Sequence, residues 1–346
     1  MTVPAGSVVH AYPAAAFRRR QRRHFAVSVV LPSAAALALP WLLPLPSNAL
    51  AATVLGLGMW FLVGGVGVSV GLHRHFAHRS FEAKPALRAV MAALGAMAAQ
   101  GPALYWVSLH RMHHAASDRP GDPHSPRVSA WPGRGAWAAV WRGHWGWVPS
   151  HDVPKATRYA RELLADPLLR RSDQRYPLWV ALGLLLPAAA GAAWLGPQHG
   201  VLAGALFGAY WGGVLRIALG HHVIWAINSW CHLAGRRPHG TPDGSANVAA
   251  LALISWGESW HNHHHSDPTQ ARFGRGWREP DIGWWVVRAF IALGWARLRR
   301  PPADGSTGNR KEEPPTARRD ESAAPALVGY LVPNKRSPVS PSPGTT

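Results

Sequence analysis

Histidine is the residue type whose number and spacing could do chemistry: there are 20 in 346 residues. Many fall into three clusters. His73, His75 and His78 lie in HRHFAH, His110, His113 and His114 in HRMHH, and His261, His263, His264 and His265 in HNHHH. A smaller element, Asn228-Ser229-Trp230-Cys231-His232, adds one more. On a helix, positions i, i+3 and i+4 share a face, so His110, His113 and His114 can converge, as can His261, His264 and His265. His73 and His78 are five apart, about 140° around a helix of 3.6 residues per turn. Either the helix ends between them or they serve different metals. Neutral imidazole is a ligand for iron, zinc and copper, and these clusters offer more of it than one ion can use. Two metals are the economical reading. His75 and His263 sit off the shared spacing and read as supporting residues. His10, His24, His151, His199 and His239 read as ordinary surface histidines.

The elements that must position these residues are apolar. The mean hydropathy is near neutral, but that average mixes apolar blocks with segments rich in Arg, His and Pro. Charge-free or nearly charge-free blocks cover about 25–45, 51–72, 178–195 and 201–220, each long enough to cross a hydrocarbon core of about 30 Å. A signal peptide is the competing reading of the first block; its prolines (Pro40, Pro44, Pro46) and the immediate second block argue against cleavage. The links 46–50 and 196–200 carry no Lys or Arg, whereas the N-terminus, 73–177 and everything after 220 are basic. By the positive-inside rule this predicts two hairpins, with both termini and all histidine clusters cytoplasmic. Residues 86–107 predict one helix lying against the membrane domain, and 248–256 and 284–295 short Trp-rich interfacial segments. Residues 1–24 and 301–346 read as irregular flanks, leaving a membrane domain at 25–300. The fold class is therefore an all-α integral membrane protein: four transmembrane helices in two hairpins, plus a cytoplasmic helical cap carrying the histidines.

Lys and Arg total 36 against 17 Asp and Glu, a formal charge of +19. That excess suits a membrane surface or an acidic partner; no recognisable nucleic-acid module accompanies it. A single cysteine, Cys231, excludes an internal disulfide, a cysteine-ligated iron–sulfur cluster and a Cys-rich zinc site.

The stretches GLHRHFAHRSF, HRMHHAASDRPGDPHSP, INSWCH and GESWHNHHHSDPTQARFG, together spanning roughly 70–280, resemble the membrane-bound fatty acid desaturases. The resemblance is to the branch that includes stearoyl-CoA Δ9 desaturases and their actinobacterial relatives. It implies two Fe²⁺ ions, with no haem and no flavin. One ion would take His73, His114, His232, His261 and His265. The other would take His78, His110, His113 and His264, with Asn228 through a water. Asp118, Asp122, Glu258 and Asp267 are candidates to orient imidazole N–H groups. Gln100, Trp106 and Trp225 stand where the animal enzymes have residues that kink the substrate tunnel. Ile224 stands where they have Thr. Ser108-Leu109 replaces an Arg-Asp pair that touches their CoA head group, which leaves acyl-lipid and acyl-carrier substrates open beside acyl-CoA.

The function implied is O₂-dependent insertion of a cis double bond, at Δ9, into a saturated long acyl chain, in a bacterial plasma membrane. Arg119, Arg127, Arg134 and Arg142 suit an anionic head group or lipid. The chain has no His-Pro-Gly-Gly haem sequence, so a separate electron donor is expected: a ferredoxin, a rubredoxin or a reductase. An enzymatic rival is a membrane di-iron hydroxylase or ketolase. A metal transporter or haem carrier is disfavoured, because transporters place ionisable groups near the bilayer midplane and these histidines begin where the spans end.

Overall fold

A computed structural model describes residues 10–128 and 135–299 of the protein. The tail at 301–346, the first nine residues and Arg134 lie outside the described residues. Four helices are long and apolar enough to cross a membrane: Ala14–Leu42, Ala49–Ala77, Tyr176–His199 and Val201–His232. Their outward side chains, such as Leu37 (76% exposed), Trp41 (89%) and Leu202 (72%), form surfaces suited to lipid rather than water.

The bounds differ from the sequence reading at both ends. The first helix begins at Ala14, so Arg18 to Arg23 form its opening turns rather than irregular chain. Ala, Arg and Gln are good helix formers and need only the apolar helix ahead to propagate from. The fourth helix runs on past 220 to Ser229 and a 3₁₀ turn at Trp230–His232. Its polar residues there, including His221 and Ser229, are buried against protein rather than lipid, so hydropathy does not mark it.

Each hairpin turn has a local cause. Asn48 caps the second span by accepting from the Ala51 N–H at 2.9 Å. Gly200, at φ +88°, turns the third span into the fourth. Those two spans touch backbone to backbone: a Cβ on Gly191 would run into Gly204 O and Gly208. Pro187 leaves the carbonyl of Gly183 without its helical donor, and the Arg216 guanidinium of the fourth span supplies one at 2.8 Å. Arg216 also donates to Met97 O at 2.6 Å.

The single helix expected over 86–107 is two, Pro85–Ala96 and Ala103–Ala116. Ala99 (φ +60°) and Gly101 (φ +106°) break it, and Pro102 restarts it. Asp173 receives the new N-terminus, accepting from Ala103 N at 2.9 Å and Leu104 N at 3.0 Å. The segment expected over 248–256 contains only a 3₁₀ turn, Ala249–Leu251, whereas a helix forms at Ile282–Ala292. Two short antiparallel ribbons pair distant stretches of chain: Ala11–Tyr12 on Val153–Pro154, and Phe81–Ala83 on Ala296–Leu298. With two hairpins, the second and fourth spans deliver His73 and His232 to the same end of the bundle.

Candidate metal centre

Nine buried or half-buried imidazoles meet there in two groups. His73, His78, His110, His114 and His264 form one, and His113, His232, His261 and His265 the other; within each group the ligand atoms lie within 4.8 Å of one another. All nine histidines singled out in the sequence converge, but three change sides relative to the division the resemblance implies. His73 and His114 join His78, His110 and His264, while His113 joins His232, His261 and His265.

The local cause for His73 and His78 is the form of the second span's last turns. Trp60–Ala77 is wound as a π-helix, and the His78 N–H bonds to His73 O at 3.0 Å, five residues back. An i→i+5 turn stacks residues five apart, so two rings that an α-helix would splay lie 4.9 Å centre to centre. On Ala103–Ala116, the i,i+4 pair His110 and His114 faces one group and His113 the other. On His261–Ser266, the pair His261 and His265 faces the second group and His264 the first.

Carboxylates fix the tautomers. The Nδ1–H of His73 donates to Glu258. His113 donates to Asp122 at 2.9 Å, His232 to Asp118 at 2.7 Å and His265 to Asp243 at 2.6 Å. Each such bond leaves an Nε2 lone pair. Those lone pairs face other ring nitrogens: His73 Nε2 is 3.1 Å from His264 Nε2, which is 3.1 Å from His114 Nε2, and His232 Nε2 is 3.0 Å from His261 Nε2. Among the described residues, the Nε2 of His265 and the Nδ1 atoms of His261 and His264 have no hydrogen-bond partner. Burial, then the neighbouring imidazoles, holds His78, His110, His114, His261 and His264 well below the ordinary histidine range. His265 is lowered to about 4 by burial despite Asp243. Burial opposes charge on His113 too, but Asp122 outweighs it and raises that imidazole. Neutral nitrogen donors aimed at one another in a dry site repel unless a cation stands between them. The residues fit two divalent metal ions.

Asp118, Asp122 and Glu258 hold imidazoles, in line with the sequence reading. Asp267 does not: it caps its own turn through Thr269 N and Gln270. Asp243, which no motif marked, takes its place. Arg74 carries no motif signal either. It is fully buried and bonds Glu258 at 2.5 Å, Asp281 at 2.9 Å and Ala271 O at 3.0 Å. It thus ties the first histidine cluster to the third and to the loop beyond. His75 bonds Phe81 O, and His263 bridges His239 and Glu279, so both are supporting residues. His151, expected at the surface, is buried and bonded to Tyr105 and Gln21. Arg127 turns inward to His232 O at 2.7 Å.

Asn228, four residues before His232, is half-buried, and its side chain has no protein partner among the described residues. Gln100 and Ile224 line a narrow apolar cleft beneath the histidines. Trp106 stands between cleft and metal groups: its indole donates to Gln100 Oε1 at 3.0 Å and stacks on His110 at 5.2 Å. Trp225 instead packs into the apolar cluster of Val29, Leu109, Trp147 and Val148.

Residues 46–274 match the fatty acid desaturase family. The chain belongs to that family and is an oxidoreductase with a fatty acyl substrate. It is similar to a hex-5-enoyl-[acyl-carrier protein] acetylenase of Moorena producens (38% identity over 280 residues, 79% of this chain and 84% of that one). It is also similar to an sn-1 stearoyl-lipid 9-desaturase of Anabaena variabilis (35% over 260 residues, 73% and 85%). Delta-9 acyl-lipid desaturase 2 of Arabidopsis thaliana shares 36% over 249 residues (71% and 74%).

Proposed function

We propose that this desaturase introduces a cis Δ9 double bond into a saturated long acyl chain carried on a membrane lipid. The observation that carries this reading is the pair of facing imidazole groups at the head of an apolar cleft. Two iron ions, one per group, would supply the oxidising power to remove hydrogens from an unactivated methylene pair, with O₂ leaving as water and two electrons arriving from outside. His73, His78, His110, His114 and His264 would hold one ion. His113, His232, His261 and His265 would hold the other, with Asn228 as a further donor through a water. Glu258, Asp122, Asp118 and Asp243 keep the donor nitrogens aimed inward, and the buried surroundings exclude water. Gln100 and Trp106 seat the reacting part of the chain.

The resemblance to stearoyl-CoA desaturases points first to acyl-CoA; the surroundings of Ser108 and Leu109 favour a lipid carrier. Ser108 is buried with its hydroxyl on Leu104 O, and Leu109 packs in the apolar cluster, so no charge stands there for a CoA head group. Two of the relatives are named for acyl-lipid substrates. A separate donor on the basic, cytoplasmic face completes the reaction.

The test is expression in a host supplied with defined saturated chains, with mass analysis of lipid, CoA and carrier-protein pools. Loss of two hydrogens, first in lipid and at C9–C10, supports the proposal. Gain of one oxygen would indicate hydroxylation, and product appearing first on CoA or a carrier protein would refute the lipid assignment.

A further inference from the structure

The loop that follows the third histidine cluster reaches from the imidazole groups to the surface. Phe273, only 1% exposed, is its inner end. Its ring lies 4.5 Å from that of His264 and 5.4 Å from that of His73, centre to centre, and the Arg74 guanidinium covers it at 3.9 Å. Asp281 holds it there, accepting from Phe273 N at 2.6 Å and Gly274 N at 3.2 Å while also bonded to Arg74. Gly274 lets the chain turn back on itself, since a Cβ there would strike Glu279 O. Trp277 is the outer end. It is 87% exposed and four residues from Phe273, so at most about 14 Å of chain joins the surface to a ring packed on two imidazoles of the first group.

The surroundings of Trp277 are basic. Arg272, Arg275 and Arg278 are exposed. Among the described residues none of the three stands in an ion pair: Arg272 bonds Gly274 O at 2.6 Å, Arg275 bonds the Ser266 hydroxyl at 3.4 Å, and Arg278 lies 4.6 Å over the Trp277 ring. The two acids of the loop are engaged within it, Asp267 by Thr269 and Gln270, and Glu279 by Arg275 N and His263. Arg236 and Arg237, also exposed, adjoin the loop through His239, whose Nε2 is 2.9 Å from His263 Nδ1. A bare indole under a guanidinium, flanked by unpaired cations, has the composition of a protein-binding hot spot, and its charge selects an acidic partner. Lipid headgroups are the other setting for an exposed tryptophan, but they give no reason for the loop's inner end to rest on the imidazoles.

We propose that residues 271–279 are the port through which electrons enter. An acidic, one-electron iron–sulfur protein docks on Trp277 with Arg272, Arg275 and Arg278, and Phe273 carries the contact inward to His264. This deepens the desaturase reading and rests on it. Per double bond, two reduced carriers each give up one electron; with two hydrogens from the acyl chain and two protons from solvent these reduce O₂ to two H₂O. The test is binding of an oxidised, acidic plant-type ferredoxin to the iron-loaded enzyme in lipid nanodiscs, measured by calorimetry over a range of salt. Trp277→Ser should weaken binding by about 30-fold, the loss of a hot-spot aromatic. Arg272→Gln, Arg275→Gln and Arg278→Gln together should flatten the salt dependence, whereas Arg18→Gln with Arg19→Gln, on the exposed side of the first helix, should not. Bound iron at the wild-type level confirms folding. Trp277→Cys, labelled with a fluorophore, reports the setting of the loop, because the native thiol of Cys231 is buried. Quenching by aqueous iodide supports the port; quenching by brominated lipid places the loop in the membrane and overturns it. Wild-type affinity in iron-replete Trp277→Ser, or no binding by the wild type, would overturn it too. Absence of product from wild type given a small chemical reductant and every saturated chain would instead refute the desaturase assignment, and this inference with it.

Discussion

Asp122→Asn tests whether carboxylates hold the second imidazole group. Asp122 Oδ2 accepts from His113 Nδ1 and from Asp118 N, both at 2.9 Å, and Oδ1 accepts from His124 N at 3.1 Å. Asparagine has one oxygen for these two sides. If it faces His113, its NH₂ meets the His124 N–H, leaving a buried donor unpaired at a cost of about 1–3 kcal/mol. If it is reversed, His113 loses the acceptor that keeps its Nε2 free for metal. Removing such a partner weakens metal affinity by about 10–100-fold, or about 1.4–2.8 kcal/mol. The loss falls on one group only, because no imidazole of the His73 group bonds Asp122. Wild-type Asp122 also raises His113, so in the apoprotein a proton competes with metal there. Measuring at pH 8 reduces that competition and isolates the orientation effect. The assay is bound iron against increasing chelator. Wild type should release two ions together or in close succession, whereas the variant should lose one at about 10–100-fold lower chelator and keep the other. Retention of both ions at wild-type affinity would refute the reasoning.

Arg74→Ala leaves Glu258 and Asp281 as uncompensated buried charges and should destabilise the protein by about 3–5 kcal/mol; an unchanged thermal midpoint in detergent would contradict this. Burial holds most of the ligand imidazoles well below 6.5, so they are already neutral at pH 7 and have few protons to release. Calorimetry of Fe²⁺ uptake in buffers of different ionisation enthalpy should show little proton release, and iron should bind more tightly at pH 8 than at pH 6, where the proton on His113 competes. Release of several protons would show the imidazoles to be charged in the apoprotein. Burial raises Asp173 from 3.8 to about 7, its two backbone hydrogen bonds notwithstanding. Its folded value exceeds its unfolded one, so the stability it contributes is full below about pH 4 and lost as pH rises through 7. The thermal midpoint should fall from pH 5 to 8, and Asp173→Asn should flatten that slope.

The convergence of the histidines was legible because imidazoles repeated at helical spacing share a face. The spans were legible because lipid demands an uninterrupted apolar run. What escaped the sequence shares one physical cause: burial in protein rather than in lipid. His221 and Ser229 are polar yet inside, so hydropathy ended the fourth span too early. Asp243 holds His265 across a loop, with no spacing rule linking the two. Asp267 stood next to the third cluster in sequence but turned away to cap its own loop. Wide-turn winding of the second span left no mark in composition, and it is what brings His73 and His78 into one group.

Few elements build the centre. The helix Ala103–Ala116 gives an i,i+4 pair to one group and the intervening histidine to the other; His261–Ser266 does the same with the groups exchanged. Each short helix therefore serves both groups, and their separation is set by the distance between faces of a rigid helix rather than by a loop. Sites carried on helices hold geometry more tightly than sites on connecting segments. The two remaining ligand-bearing segments, the ends of the second and fourth spans, fix the centre to the membrane domain at His73 and His232. Both of those imidazoles are pinned by carboxylates, Glu258 and Asp118, that come from neither span. The cap thus locks the spans through acid–imidazole bonds while the spans supply donors to the cap. A shift of either part would open both imidazole groups at once, which suits the proposal that two ions act on one methylene pair.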